Sequence, residues 1–419
     1  MCLVVAARWP SRLVSSVKED KMKPSTSRLT LLAGILGLPM ALCLPLAAQA
    51  QSNQWQVNGF IGQGYISADG SEFIVGESGD TFDVTEAALH LSWMPDEHFR
   101  VAGAARYRQW GNLDESGLSA DYLFAEYKFI LDQGYVGARG GLFKSEAGFY
   151  TSTRDVSFTR PGILLPQSVY SDYLRDALLH ITGGELFGGH PLLDGSLEWH
   201  LTLGDAQTSD DLTRNVVGSE EFGRFDADGY WGADLEYQDD SLRLGLTYFD
   251  AKSRYQSHLG GPFADGSLRS KHWIVSAQYR INFLEFTGEY LHWDRYVGGV
   301  FVPPELGIYE VRGYGYYLDV RGYLPGDVEV FVRYDHQVQD EKDPDGDKLA
   351  ERGLPGYFGY AHDWTIGTRW LPAKDWMVAA EYHKVRGAAW VTPILLPNPA
   401  VQDKDWSLFA IEISYKFQW

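Results

Sequence analysis

The sequence predicts an all-β chain: a transmembrane antiparallel β-barrel of about sixteen strands. Three observations carry that prediction. Apolar and polar residues alternate with period two over segments of roughly ten residues, the length a tilted strand needs to cross a bilayer. The chain is rich in Gly (45), Tyr (25) and Trp (14), yet its mean hydropathy is only -0.25. Many half-apolar strands with aromatic ends give such a balance, and helical membrane spans do not. Finally, short and long connections alternate, as turns on one rim and loops on the other would.

Taken in order, residues 1–21 show no recognisable pattern and read as an upstream extension or a misassigned start before Met22. Residues 22–50 have the three parts of a signal peptide. Lys23 and Arg28 supply the charged region, Leu29 to Leu38 the apolar region, and Ala48-Gln49-Ala50 the small-residue cleavage site. The apolar run is short and broken by Pro39 and Pro45, which argues against a membrane-spanning helix. The bulky Leu42 before Cys43 argues against a lipoprotein signal. Cleavage is expected near Ala50, leaving residues 51–419 as a single barrel.

The strand pattern is clearest at the end of the chain. Phe409, Ile411, Ile413, Tyr415, Phe417 and Trp419 share one face, and Ala410, Glu412, Ser414, Lys416 and Gln418 share the other. Val328, Val330, Val332 and Tyr334 oppose Glu329, Phe331, Arg333 and Asp335 in the same way, and Tyr314, Tyr316, Leu318 and Val320 oppose Gly315, Tyr317, Asp319 and Arg321. One face suits hydrocarbon and the other a wet lumen. A soluble barrel would reverse the two faces, so the signal peptide and the C-terminal strand decide the orientation. Short connections are expected at Pro95–His98, Leu131–Gly134, Gln238–Ser241, Asn282–Phe283, Pro325–Asp327 and Ala373–Asp375. The sixth strand is placed near Ala177–Leu186, with a turn over Gly188–Gly195.

Charge and cysteine usage exclude several classes. A formal net charge of -20 makes nucleic acid an improbable partner. Both cysteines, Cys2 and Cys43, lie ahead of the cleavage site, so the mature chain would carry no thiol chemistry and would suit an oxidising compartment. The histidines, including His90, His180, His200 and His383, show no metal-ligand spacing. Neither a G-x-S-x-G elbow nor an H-E-x-x-H pair is present, and the reading is that of a non-enzyme.

The longest interruption in the first half of the chain is Lys144–Asp176, KSEAGFYTSTRDVSFTRPGILLPQSVYSDYLRD. Its apolar run Ile163-Leu164-Leu165 has no reason to sit in water, and Pro161 and Pro166 do not suit a strand. An irregular loop folded against other protein is expected, between the fifth and sixth strands. This block, RGGLFKSEAGFYTSTRDVSFTRPGILLPQSVY, together with the terminal YKFQW, resembles the porins of the Gram-negative outer membrane, the general-porin family in particular. The resemblance spans nearly the whole mature chain as a pattern. It implies an outer-membrane barrel, a homotrimer, and a water-filled channel for passive diffusion of small hydrophilic solutes and ions. In that family the loop at this position narrows the pore. The family's constriction loop is usually acidic, whereas this one carries Arg154 and Arg160 beside Glu146 and Asp155, so cation preference does not carry over.

By strand parity Arg106 and Arg108 face the lumen on the third strand and Arg139 on the fifth, with Lys144 where the fifth strand enters the loop. With Arg154, Arg160 and Arg175 they form a candidate basic constriction that would favour anionic or zwitterionic solutes; Glu146 and Asp155 belong to the same stretch, and Glu126 and Lys128 are expected as wall neighbours. The alternative is that each arginine pairs with a local carboxylate and only stiffens the loop. A second functional class is a substrate-specific channel for a sugar, aromatic or phosphate-type solute, with Phe149, Tyr150, Phe158, Tyr170 and Tyr173 as an aromatic slide; a structural barrel is the third. No cofactor is expected, except a candidate structural calcium at Asp343, Asp345, Asp347 and Glu351, whose oxygen ligands alternate around a glycine. The acidic loops read as solvated surface, or as a bridge through divalent cations to lipopolysaccharide.

Overall fold

The structure, a computed structural model, describes residues 54–300, 307–391 and 401–418, with the side chains of Glu115 and Ser116 left aside. The expected signal peptide, its cleavage site and Trp419 lie outside the described residues. Sixteen strands form one closed antiparallel barrel, each hydrogen-bonded to its neighbours in sequence and the first to the last. In order they are β1 (Trp55–Asp69), β2 (Asp80–Trp93), β3 (Phe99–Trp110), β4 (Asp114–Leu131), β5 (Gly134–Lys144), β6 (His180–Leu192), β7 (Gly195–Ala206) and β8 (Gly223–Gln238). The second half comprises β9 (Leu242–Ser257), β10 (Ala264–Ile281), β11 (Leu284–Val300), β12 (Ile308–Leu324), β13 (Val328–Val338), β14 (Tyr360–Ala373), β15 (Trp376–Gly387) and β16 (Asp405–Gln418). Closure runs from Asn58 opposite Gln418 to Asp69 opposite Ser407 and leaves no free sheet edge.

The alternation read from sequence maps onto the two faces of this wall. Phe409, Ile411 and Ile413 are exposed on the outside of β16, while Ala410, Glu412 and Ser414 between them are buried inside. On β13, Val330 and Val332 point out and Phe331, Arg333 and Asp335 point in. Aromatic residues mark both margins of the apolar band. Trp55 packs on Trp93 and Trp376 on Tyr415 near the short turns, and Trp231, Tyr248 and Trp273 stack across three strands toward the long loops. An apolar exterior with aromatic margins around a charged interior is the arrangement a bilayer requires of a barrel. Among the described residues no helix is long and apolar enough to cross a membrane.

Short turns fall where the sequence put them, with one correction. The sixth strand extends to Leu192, past the expected turn, and pairs Leu192 with Gly195, so only Leu193 and Asp194 form the turn. Its first residues also differ: Arg175–Leu179 are a short helix, α1, that closes the inward loop before β6 begins. Two further helices stand on the long-loop side, α2 (Asp210–Val217) before β8 and α3 (Asp347–Glu351) before β14. Ser209 caps α2 by accepting from the Leu212 N–H at 3.0 Å.

The orientation of the wall gives a direct test. Val332 lies outside at mid-band between Val320 and Ile366, both exposed apolar neighbours. Replacing Val332 by Arg is expected to destabilise the barrel in lipid vesicles by about 2–4 kcal/mol. The same change at Asp345, exposed on a long loop, should stay within about 0.5 kcal/mol. Reversible folding titrations of the two variants check this.

Candidate pore constriction

The segment between Lys144 and α1 lies inside the barrel and touches wall strands around almost the whole circumference. An irregular backbone has N–H and C=O groups that no ladder satisfies, and at membrane depth each must find a partner. Charged wall side chains supply those partners. Glu289 on β11 accepts from the Phe149 N–H at 2.9 Å and from the hydroxyls of Ser276 and Tyr317 at 2.6 and 2.7 Å. Glu381 on β15 accepts from the Ile163 N–H at 2.9 Å and the Leu164 N–H at 2.7 Å. Asp335 on β13 accepts from the Ser168 N–H at 3.3 Å. Arginines take the carbonyls: Arg333 donates to Leu164 O at 3.1 Å, Arg369 to Arg160 O and Phe158 O at 2.9 Å each, and Arg321 to Pro161 O. Bonds of this charge-assisted kind are about twice as strong as neutral ones.

The apolar run anchors the same segment. Ile163 and Leu164 are buried in a cluster with Trp110, Ala379 and Val385, and Leu165 in another with Phe143, Trp293 and Tyr317. Gly162 is needed at the crossing, because a Cβ there would lie 2.6 Å from a Glu381 carboxylate oxygen.

Each basic residue singled out from sequence is found here, and each meets an acid. Arg106 reaches Asp155 at 3.2 Å. Arg108 meets Glu86, Asp114 and Asp172 at 3.2, 2.5 and 3.4 Å. Arg139 sits between Glu185 at 2.8 Å and Glu146 at 3.3 Å. Arg154 pairs with Asp172 at 2.9 Å, and Arg160 with Glu86 at 2.7 Å and Glu412 at 3.0 Å. Arg175 bonds Asp155 and, at 3.0 Å, Asp176. Glu126 is the cross-strand neighbour of Arg139, as expected, and its carboxylate lies 3.7 Å from both Arg100 and Lys128.

Lys144 is the centre of the tightest group. Its ammonium lies 2.7 Å from Asp121 and 2.8 Å from Asp155, and His180 adds a 3.0 Å contact to Asp121. Asp121, Asp155 and His180 lie close enough together to hold a metal ion, but the ammonium already occupies the space between the two carboxylates. Asp121 reaches the lumen through a bulge in β4, where Ala104 pairs Tyr122 and Ala105 pairs Ala120, leaving Asp121 as the extra residue. Burial alone would push the Asp155 carboxyl up; Lys144 and Arg106 outweigh it and hold Asp155 well below the usual carboxylate range.

Three aromatic residues of the loop meet edge to face, Phe149 with Tyr150 at 6.4 Å and Tyr150 with Tyr170 at 5.7 Å. Tyr170 donates to Glu289 and accepts from the Tyr150 N–H at 3.0 Å, and Phe149 packs under the Arg243 guanidinium at 4.2 Å. Phe158 stands by Lys416 at 4.6 Å. The acidic run is used locally: both oxygens of Asp343 accept from the Lys348 and Leu349 N–H groups at 3.0 and 2.9 Å and so start α3. Asp345, Asp347 and Glu351 are exposed around it. Sequence reasoning named no site role for Glu86 beside Arg108, nor for Glu289, Asp335, Asp363, Glu381, His383 and Glu412 on the far wall. Inward parity combined with charge was the available signal, as Glu412 and Asp335 show.

This geometry is that of a porin-like barrel: sixteen strands, short turns on one rim, and an inward loop after the fifth strand. No protein-family model and no curated relative matches the chain. Among solved structures it is similar to Salmonella typhi OmpF in complex with daunomycin, at TM-score 0.54 and 13% identity over 87% of this chain and 97% of that one. It is also similar to the outer membrane channel DcaP of Acinetobacter baumannii, at TM-score 0.54 and 10% identity over the same shares. An anion-selective porin from Comamonas acidovorans follows at 0.51 and 11%, over 87% of this chain and 98% of that one. At such identities the likeness establishes the shared fold.

Two outcomes are expected at the loop. Glu381→Ala should leave the Ile163 and Leu164 amides without acceptors, at a local cost of about 1–3 kcal/mol, seen as faster hydrogen exchange at those two amides with the strands unchanged. The pair Asp155–Lys144 has a defined pH signature. Because the native carboxyl is depressed, its stabilisation is complete above the unfolded value of about 3.9 and fades as pH falls from there toward the native value. The difference in melting temperature between the unmodified chain and Asp155→Asn should therefore be constant at neutral and mildly acidic pH and close in stronger acid.

Proposed function

We propose that this chain is an outer-membrane porin of a Gram-negative bacterium, a water-filled channel through which small hydrophilic solutes and ions diffuse passively. The observation that carries the proposal is the inward loop itself: a barrel of this size is wide enough for an aqueous path, and the loop bonded across it sets the narrowest section. The charged lining supports passage of polar solutes. Trimer formation and contact with lipopolysaccharide belong to the same proposal.

The anion preference expected from the arginines takes a narrower form. Every one of those cations is ion-paired, so they contribute local dipoles more than a free positive field, and selectivity between small ions should be weak. The purified chain in a planar bilayer should give stepwise conductance and a reversal potential close to zero in a salt gradient. Absence of solute flux in liposome swelling, with folded barrel present, would favour a structural role instead.

A further inference from the structure

The buried cations of the lumen follow one rule, and one residue departs from it. Arg106, Arg108, Lys144, Arg154, Arg160, Arg175, Arg321, Arg333 and Arg369 are all buried and all within ion-pair distance of a carboxylate. Arg295 on β11 is 7% exposed, and among the described residues it is the buried cation with no such partner. Its guanidinium lies 4.6 Å from the Trp293 ring and donates to Gln339 Oε1 at 3.3 Å, with Tyr173 as its other polar neighbour. Gln339 is itself held by donating to Ala389 O at 2.8 Å. Neutral acceptors leave the positive charge of Arg295 uncompensated, and a buried charge without a counter-charge is costly.

Arg295 lines a cleft with about 670 Å³ of empty space, counted out to the solvent, on the long-loop side of the barrel. The cleft lies between the end of the inward loop (Leu178), α2 (Leu212, Val216) and the wall (Phe225), and its lining is mostly apolar. His272 on β10 also lines it. One ring nitrogen of His272 bonds the Ser270 hydroxyl at 2.9 Å, and the other, Nδ1, is buried with no hydrogen-bond partner. Two unmet polar demands, one charged, therefore border the same apolar cleft. Such convergence of a few polar groups in an apolar recess is what small-molecule sites share.

We infer that this cleft binds a small organic anion with a compact apolar body, of the single-ring carboxylate class. Its carboxylate takes the Arg295 guanidinium, with the His272 ring beside it, and its ring takes the apolar side chains of α2 and β8. An inorganic anion would leave the apolar lining wet, and a neutral ring would leave Arg295 without its counter-charge. The inference goes beyond the channel reading and stands on the barrel alone: occupancy at the end of the inward loop would give the pore a recognition step ahead of the constriction.

Calorimetric titration of the detergent-solubilised full chain with benzoate tests it, with benzyl alcohol and inorganic phosphate as the neutral and the non-apolar probes. Benzoate should bind, and both other probes should bind at least about tenfold more weakly, the loss expected for one charge-assisted contact. Arg295→Met should lose benzoate by a similar factor, while Lys384→Met, at an exposed cation elsewhere, should bind as the parent does. Val216→Trp fills the cleft from α2 and leaves Arg295 in place, and should abolish binding even if Arg295→Met folds poorly. No benzoate heat in the parent chain, or equal affinity in Arg295→Met, overturns the inference. Conductance of the same preparation is scored separately: binding without conductance removes the channel reading alone, and conductance without binding removes this one alone.

Discussion

The structure depends on one constraint: an irregular stretch of backbone runs through the interior of a barrel at membrane depth, and its polar groups must all be met. Strands meet theirs through the ladder. The inward loop has no ladder, so the wall supplies side chains instead, carboxylates for N–H groups and arginines for carbonyls. Glu381, Glu289 and Asp335 with Arg321, Arg333 and Arg369, on five strands from β11 to β15, do this for the segment from Phe149 to Ser168. The apolar run Ile163–Leu165 then fixes the depth of the loop, because it packs where the inward faces of the strands carry Trp110, Phe143 and Tyr317.

Meeting that constraint brings many charges into a small volume, which is tolerable only when signs alternate. Desolvating an ion is expensive, and removing one partner of a buried pair typically costs about 3–5 kcal/mol. Arg108 with three acids and Lys144 with two show how closely the lumen is balanced. The arginines that looked like a basic filter are therefore structural cations first. A lumen organised in this way also makes an exception visible, and Arg295, stacked on Trp293 beside an apolar cleft, is that exception.

Small breaks in regularity do much of the aiming. The bulge at Asp121 turns a residue that parity would send outward into the partner of Lys144 and His180. Gly162 lets the loop pass against Glu381 where a Cβ would push the carboxylate from its place. The sixth strand starts late because α1 takes its first residues and bonds back toward the loop through Arg175. None of these is visible to a reading based on alternation, since each is a local exception to it.

The sequence by itself determined the wall. Period-two alternation, the aromatic margins and the spacing of turns are properties of single strands and their immediate connections, so about sixteen strands were legible without a structure, and the run Ile163–Leu165 between Pro161 and Pro166 marked the loop after the fifth as one packed on other protein. It also put Arg106, Arg108 and Arg139 on the inner face by parity alone. Only the tertiary structure decided what those cations meet. Some partners are near in sequence, as Asp114 is to Arg108 and Glu146 to Arg139, but others are remote: Glu412 lies 252 positions from Arg160, and barrel closure brings the two together. Pairing across a lumen depends on strand order, shear and the path of a loop, and none of these has a local signature. The same reason hid Arg295: in sequence it is one lumen-facing arginine among many, and only the folded barrel shows which of them lacks an acid.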